Sequence, residues 1–212
     1  MIYIYYTFLN EENHKNLLKN ELPKFSADFI KKITYFRKWQ DAQLSLLGRM
    51  LLFKSIKEIY NLELSPKSIA YNDYGKPYFK GNPVHFSISH SGEIVVCAVN
   101  DHSEIGIDIE KMSDRNIIDF EPLIDQKEWL KISTSENPKI SFYDYWTKKE
   151  ATIKVYGEGF GSDFIHFETL NNTLPIKTVR FYYKKIDIDK SYMCHLVCKT
   201  DLIDTRVVKI TF

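Results

Sequence analysis

Apolar positions dominate the start of the chain, where Ile2 to Phe8 reads as an opening strand. Asn10 to Asn20 carries the mixed pattern of a short helix, ended by Pro23. Ser26 suits an N-cap, since its hydroxyl can accept from an early backbone N–H, and it predicts a helix through Lys32. The longest helical pattern runs from Lys38 to about Asn61, with Leu44, Leu47 and Leu51 at helical spacing. Pro66 interrupts, and Asn72-Asp73-Tyr74-Gly75 is a turn signal. Val84 to Ser89 and Ile94 to Val99 predict a strand pair across Ser91-Gly92, and Gly106 to Glu110 predicts another strand. Helices are expected near Asp119 to Lys131 and from Ser141 to Val155, and short alternating strands from Phe164 to Phe212.

The pattern repeats. WQDAQLSLLGRMLL from Trp39 resembles WTKKEATIKVYGEG from Trp146, and SGEIVVCAVN from Ser91 parallels KSYMCHLVCK from Lys190. Two pairs in the same order, each offset by close to half the chain, favour a duplication. The expected fold is α+β: two similar halves, residues 1–103 and 104–212, related by a pseudo-two-fold with a cleft between them.

Composition narrows the class. The chain has 212 residues, 44% apolar and 15% aromatic, enough for a real core, so wholesale disorder is excluded. A net charge of +1 argues against bulk binding to nucleic acid. The longest apolar runs, Ile94 to Val99 among them, are six residues, far short of the roughly 20 that span a bilayer. MIYIYYTFLNEEN lacks the basic segment and cleavage site of a secretory signal, and three cysteines cannot form a disulfide framework. A reduced, cytoplasmic, soluble protein is the expectation. Cys194 and Cys198 flank His195, but Cys194, Leu196 and Cys198 share one strand face, which points to the core rather than to zinc. With 24 lysines against five arginines the basic set is biased throughout, so the pair Lys184-Lys185 carries little meaning alone.

Four segments carry candidate chemistry. In Ile105-Gly106-Ile107-Asp108-Ile109-Glu110 the isoleucines form one strand face, leaving Asp108 and Glu110 side by side on the other next to a bare glycine. Two such carboxylates repel unless protons or a cation neutralise them, and oxygen ligands favour a hard ion such as Mg²⁺; the alternative is two acids facing water. On a helix Trp146, Glu150 and Lys154 share a face, as a site or as an ordinary surface pair, with Gly157 and Gly159 following. Phe86-Ser87-Ile88-Ser89-His90-Ser91-Gly92 gathers hydroxyls, an imidazole and turn N–H groups suited to phosphate oxygens, or forms a serine-rich hairpin. A Ser/His nucleophile reading lacks a third member and a nucleophile elbow. Tyr74-Gly75-Lys76-Pro77-Tyr78 is a rigid turn carrying one cation.

In order, G-K-P, F-S-I-S-H-S-G, G-I-D-I-E and W-T-x-K-E-A-x-x-K, with D-A-x-x-x-L-L-G from Asp41 upstream, resemble the 4′-phosphopantetheinyl transferases of the surfactin-synthetase-activating type. The resemblance implies transfer of the phosphopantetheine arm of coenzyme A to a serine of an apo acyl, polyketide or peptidyl carrier protein, with Mg²⁺ on Asp108, Glu110 and Glu150. It implies Glu150 as general base, Lys154 at the α-phosphate, and Asp108, Glu150 and Lys154 as the catalytic set. Gly75, Lys76, Pro77, Ser89, His90, Lys149 and Lys154 would bind the coenzyme, and Trp146 would orient the helix. Relatives commonly carry an arginine for the 3′-phosphate where this chain has Leu44, which implies weaker discrimination against the dephospho form unless Lys31, Lys32, Arg37 or Arg49 substitutes. Carrier contact is expected around Ile117 to Leu130, and a monomer holding both halves is expected. The competing readings are a non-catalytic coenzyme A-binding or carrier-docking protein of the same fold, and another Mg²⁺-dependent pyrophosphate-cleaving enzyme.

Overall fold

The structure, a computed structural model, describes residues 1–81, 83–157, 173–176, 179–201 and 204–212. Gly159 and the expected start of the tail strands at Phe164 lie outside the described residues.

The first unit begins with β1 (Ile2–Phe8), then α1 (His14–Asn20), α2 (Ala27–Thr34) and the long α3 (Trp39–Tyr60). Ser26 caps α2 as its sequence position predicts, its hydroxyl accepting from the Phe29 N–H. α3 stops where Asn61 adopts a left-handed conformation, φ 51°, a role asparagine tolerates better than most residues. A small hairpin, β2 (Ile69–Tyr71) and β3 (Pro77–Phe79), precedes the longer hairpin β4 (His85–Ser91) and β5 (Ile94–Asn100). The second unit comprises β6 (Ile105–Lys111), α4 (Gln126–Ser133), α5 (Pro138–Tyr156), β7 (Thr173–Ile176), β8 (Val179–Lys185) and β9 (Tyr192–Cys198).

The expected helix from Asp119 to Lys131 is in fact two pieces, a 3₁₀ segment over Ile117–Leu123 and then α4. Pro122 has no N–H to donate, and the Asp125 carboxylate starts α4 by accepting from Lys127 N–H. α5 begins earlier than its apolar spacing indicates, because Asn137 caps it and Pro138 fits the first turn.

The two units share a topology. β1 pairs antiparallel with β5, and β5 with β4; β6 pairs antiparallel with β9, and β9 with β8. In each, one strand is followed by a long helix and a hairpin, and the hairpin's second strand inserts in the middle. A final strand, β10 (Thr205–Lys209), leaves the second unit and pairs parallel with β1, Ile2 opposite Thr205, so the 103/104 cut falls across an interlocked structure.

The layers follow from strand alternation. Tyr5, Val95, Cys97 and Val99 face α3 with Leu44, Leu47 and Leu51. Ile2, Ile4, Ile94, Val96 and Ala98 face the other way, meeting Ile105, Ile107 and Ile109 with Cys194, Leu196 and Cys198. The two cysteines are thus buried free thiols in the core between the sheets. The opposite face of β6 and β9 carries α5. Gly106 permits that approach: a Cβ there would strike the Ala151 carbonyl oxygen and lie 2.9 Å from Val155 Cγ2. Gly106→Ala is therefore expected to destabilise the protein by about 1–3 kcal/mol by lifting α5, read as a lower urea midpoint with an unchanged slope.

Candidate active site

The edges of the two sheets meet at β4 and β6 through serine side chains. The hydroxyls of Ser87, Ser89 and Ser91 accept from the backbone N–H groups of Ile107 (3.0 Å), Ile109 (3.4 Å) and Lys111 (3.1 Å). Each serine is two residues from the next, so all three face the same way and match alternate N–H groups on β6. Two of them also donate: Ser89 to Asp108 Oδ1 at 2.8 Å and Ser91 to Glu110 Oε2 at 2.7 Å. The seam that joins the sheets therefore also aims the two β6 carboxylates.

α5 supplies the opposite wall. Lys154 Nζ donates to Asp108 Oδ1 (2.7 Å), Ser89 Oγ (2.8 Å) and the Ile107 carbonyl (3.1 Å). Asp108 Oδ2 is buried with no hydrogen-bond partner among the described residues. Glu150 lies one turn before Lys154, and burial, then the negative charge of Asp108, push its carboxyl up to about 7, with Glu110 adding to the effect and Lys154 opposing it. Burial also raises Glu110, against the hydrogen bond from Ser91. These groups line one cavity of about 580 Å³ together with His90, Arg115, Phe120 and Trp146. His90 lies on the open side of β4, where surrounding protein and then Lys154 lower its pKa. Trp146 is wall and packing, stacked on Phe142 with ring centroids 5.7 Å apart.

A second, more apolar pocket of about 260 Å³ adjoins the first through Ile88 and Lys154. Tyr74, Gly75, Lys76, Pro77, Phe86 and Ile153 line it. The β2–β3 turn also caps α5: Asn72 Nδ2 donates to the Gly157 carbonyl (2.8 Å) and Lys76 Nζ to the Val155 carbonyl (3.2 Å). A cation at a helix C-terminus complements its dipole.

The structure thus gathers Ser89, His90, Asp108, Glu110, Glu150 and Lys154 around one cavity, and Gly75, Lys76 and Pro77 around its neighbour. Lys149 is not among them. Its side chain is buried on another face of α5, where Nζ donates to the Leu123 carbonyl at 2.8 Å and latches the 3₁₀ segment. Helical phase separates it from Glu150 by 100°, so adjacency in sequence misplaced it. Ser89 is buried in the seam rather than open to a ligand. Leu44 sits in the core under the first sheet. Arg49 does not stand in for a phosphate-binding cation: it donates to Tyr71 O–H at 3.0 Å and lies over the Phe29 ring, outside both pockets. Lys32 is nearer the cavity, close enough that its charge helps lower the His90 pKa. Sequence reasoning missed Arg115 and the joining role of Ser87 and Ser91; the S-x-S-x-S alternation was the available signal for the latter.

Chemically, the cavity offers three lining carboxylates of the donor type a hard cation takes, one carboxyl poised to take a proton near neutrality, and an ammonium for an anionic group. With this geometry in place, the comparisons with known proteins agree. A family model described as "4′-phosphopantetheinyl transferase superfamily" matches residues 104–208, and one described as "4′-phosphopantetheinyl transferase, N-terminal" matches residues 20–102. The chain is 30% identical over 177 residues to 4′-phosphopantetheinyl transferase Sfp of Bacillus subtilis (strain 168), covering 79% of each chain. It is 38% identical over 122 residues to 4′-phosphopantetheinyl transferase gsp of Aneurinibacillus migulanus, covering 57% of this chain and 51% of the relative. It is 28% identical over 163 residues to L-aminoadipate-semialdehyde dehydrogenase-phosphopantetheinyl transferase of Xenopus laevis, covering 68% of this chain and 54% of the relative. The match to two of these relatives thus spans about half of their length. The chain belongs to the 4′-phosphopantetheinyl transferase family.

Folding raises the Glu150 pKa from 4.5 to about 7. The folded state therefore holds this proton more tightly, an advantage that is complete below 4.5 and lost as pH rises through 7. In chelator-treated protein, Glu150→Gln is expected to be more stable than the parent at pH 8 by roughly 1–3 kcal/mol, with the difference shrinking at pH 5. Urea melts at the two pH values check the sign.

Proposed function

We propose that the chain transfers the 4′-phosphopantetheine group of coenzyme A to a serine hydroxyl of an apo carrier protein, releasing 3′,5′-ADP. The observation that carries this reading is the convergence of Asp108 and Glu110 from β6 with Glu150 and Lys154 from α5 on one cavity. The adjoining apolar pocket, rimmed by Tyr74 and floored by Pro77 and Ile153, suits the adenine end of the coenzyme. Family membership adds support, since the relatives carry that transferase name.

Asp108, Glu110 and Glu150 fit a divalent metal in chemistry. They are all-oxygen donors, Asp108 Oδ2 is buried with no hydrogen-bond partner among the described residues, and burial, then the charge of Asp108, keeps Glu150 near half-protonated at neutral pH. Among the described residues no three such side chains already stand close enough to grip an ion, so the fit is one of donor type and not of preformed geometry. Mg²⁺ bound there would neutralise charge on the pyrophosphate.

The chain's own groups then divide the work. The serine oxygen bonds to the phosphorus that carries the pantetheine arm, and the phosphoanhydride bond to the nucleotide breaks. Glu150 takes the serine proton, a role that competes with holding the metal because a bound cation lowers a carboxylate's proton affinity. Lys154 offsets the negative charge left on the departing 3′,5′-ADP, exchanging its contacts with Asp108 and Ser89 for phosphate oxygen. Lys76 and His90 hold the coenzyme from the open side.

The carrier would meet the exposed apolar side chains beside the cavity, Ile118 (59% exposed), Leu123 (51%) and Leu130 (63%). We read the protein as a monomer, because both units that build the cavity come from one chain. Its three buried free thiols favour a reducing compartment such as the cytoplasm. No helix among the described residues is long and apolar enough to cross a membrane.

The test is intact mass of a panel of apo carriers incubated with coenzyme A, Mg²⁺ and the protein. A gain of one phosphopantetheine unit is expected, abolished by chelator and slowed about 100-fold or more by Glu150→Gln. No gain on any carrier, with coenzyme A still bound, would replace this reading with that of a coenzyme-binding or carrier-docking protein. Consumption of coenzyme A without a carrier would indicate a pyrophosphate-cleaving enzyme instead.

A further inference from the structure

His195 is a buried titratable group that lies outside the cavity. It lies on β9 directly across the ladder from Asp108, on the face that carries α5, and is 2% exposed. An imidazole so buried among strands and a helix normally has its two nitrogens satisfied, and here both partners are on α5. Nδ1 lies 2.7 Å from Thr147 Oγ1, and Nε2 lies 3.4 Å from Asp144 Oδ1. The second Asp144 oxygen accepts from Lys148 at 2.6 Å, which fixes the carboxylate that meets the ring. Asp144 and Thr147 are three residues apart, so the ring bridges neighbouring positions on one helical face.

Burial lowers the His195 pKa against the raising effect of Asp144. In the neutral ring Nε2 must carry the hydrogen, because Asp144 can only accept. The Thr147 hydroxyl lies between Nδ1, 2.7 Å away, and the Tyr143 carbonyl, to which it donates at 2.7 Å.

We propose that His195 is a positioning residue: by bridging Asp144 and Thr147 it sets the rotation of α5 on the β6–β9 ladder, and so the placement of Glu150 and Lys154 against Asp108. The proposal rests on the reading that Glu150 and Lys154 act in the cavity. Among the described residues, polar contacts hold α5 to this sheet at three places: Thr152 to the Tyr183 hydroxyl on β8 (3.3 Å), and one pin on either side of the close passage of Ala151 over Gly106. One pin is Lys154 with Asp108, whose members are the groups that must change partners when a phosphate enters. The other is His195, which lies outside the lining of the cavity. It keeps the helix in register while Lys154 rearranges. The lever is short: turning a helix by about 10° moves a group about 6 Å from its axis by about 1 Å, and such a displacement can cost about 100-fold in rate.

The test compares His195→Leu, His195→Gln and Thr147→Val with the parent. Leucine fills the volume without polar contacts, glutamine can donate to Asp144 and accept from Thr147, and valine removes only the hydroxyl. The expected result is a fall in kcat of about tenfold or more for His195→Leu and a smaller fall for Thr147→Val. KM for coenzyme A should stay within about twofold, assayed well below each variant's melting temperature, and His195→Gln should recover most of the loss. Loss confined to thermal stability, with kcat of the folded protein unchanged, would overturn the proposal and make His195 a packing residue. A crystal structure of His195→Leu decides independently of activity: α5 turned on β6, with Lys154 out of hydrogen-bond reach of Asp108, is expected, and an unmoved helix overturns it. If the parent modifies no carrier, the transferase reading fails while this structural arm still decides the helix placement.

Discussion

Three serine hydroxyls do what a backbone ladder does elsewhere in a sheet. β4 and β6 lie side by side as the edges of two different sheets, and each edge would otherwise present unpaired N–H groups in a protein interior. Ser87, Ser89 and Ser91 satisfy the N–H groups of β6 with side chains, which keeps the strands farther apart than main-chain pairing would. That extra width is where the chemistry fits. A hydroxyl can accept and donate at once, so the same atoms that close the seam also turn Asp108 and Glu110 toward the cavity. The acids, the cavity and the approach of Lys154 all follow from this join.

Against this seam, α5 is the adjustable part. Its surface is divided by phase. Glu150 and Lys154 face the cavity, Thr147 and Ala151 face the sheet, and Lys149 faces the 3₁₀ segment. Its C-terminal end is capped from the other unit, by Asn72 and Lys76, and Gly157 takes φ 76° to let the chain leave. The turn that lines the second pocket therefore touches the helix that carries the reactive groups.

Much of this was legible in the sequence. The isoleucine alternation in Ile105 to Glu110 located both the inter-sheet core and the acidic face, because a strand has only two faces. The tryptophan repeat did not align the two long helices, since Trp39 is the first residue of α3 and Trp146 lies mid-way along α5; the likeness of the units is instead in their strand order, with the last strand of each hairpin inserted beside the unit's first strand. Long-range partners were not legible. Lys149 looked equivalent to its neighbours until its phase and its contact with the Leu123 carbonyl were visible, and Ser89 looked like a ligand group because nothing local says that its partner is a backbone N–H 20 residues on. Pro122, by contrast, was a local signal that should have divided the predicted helix.

The parallel pairing of β10 with β1 has a consequence for how the chain is made. β1 opens the first unit, yet its outer edge is covered by β10, which follows every other described strand in the chain. Until β10 docks, the nascent first sheet presents an open, aromatic-rich edge, Tyr3 and Tyr5 included, able to recruit strands from other chains. Completion of the first sheet, rather than of the first unit, therefore waits until β10 has been made and has docked beside β1.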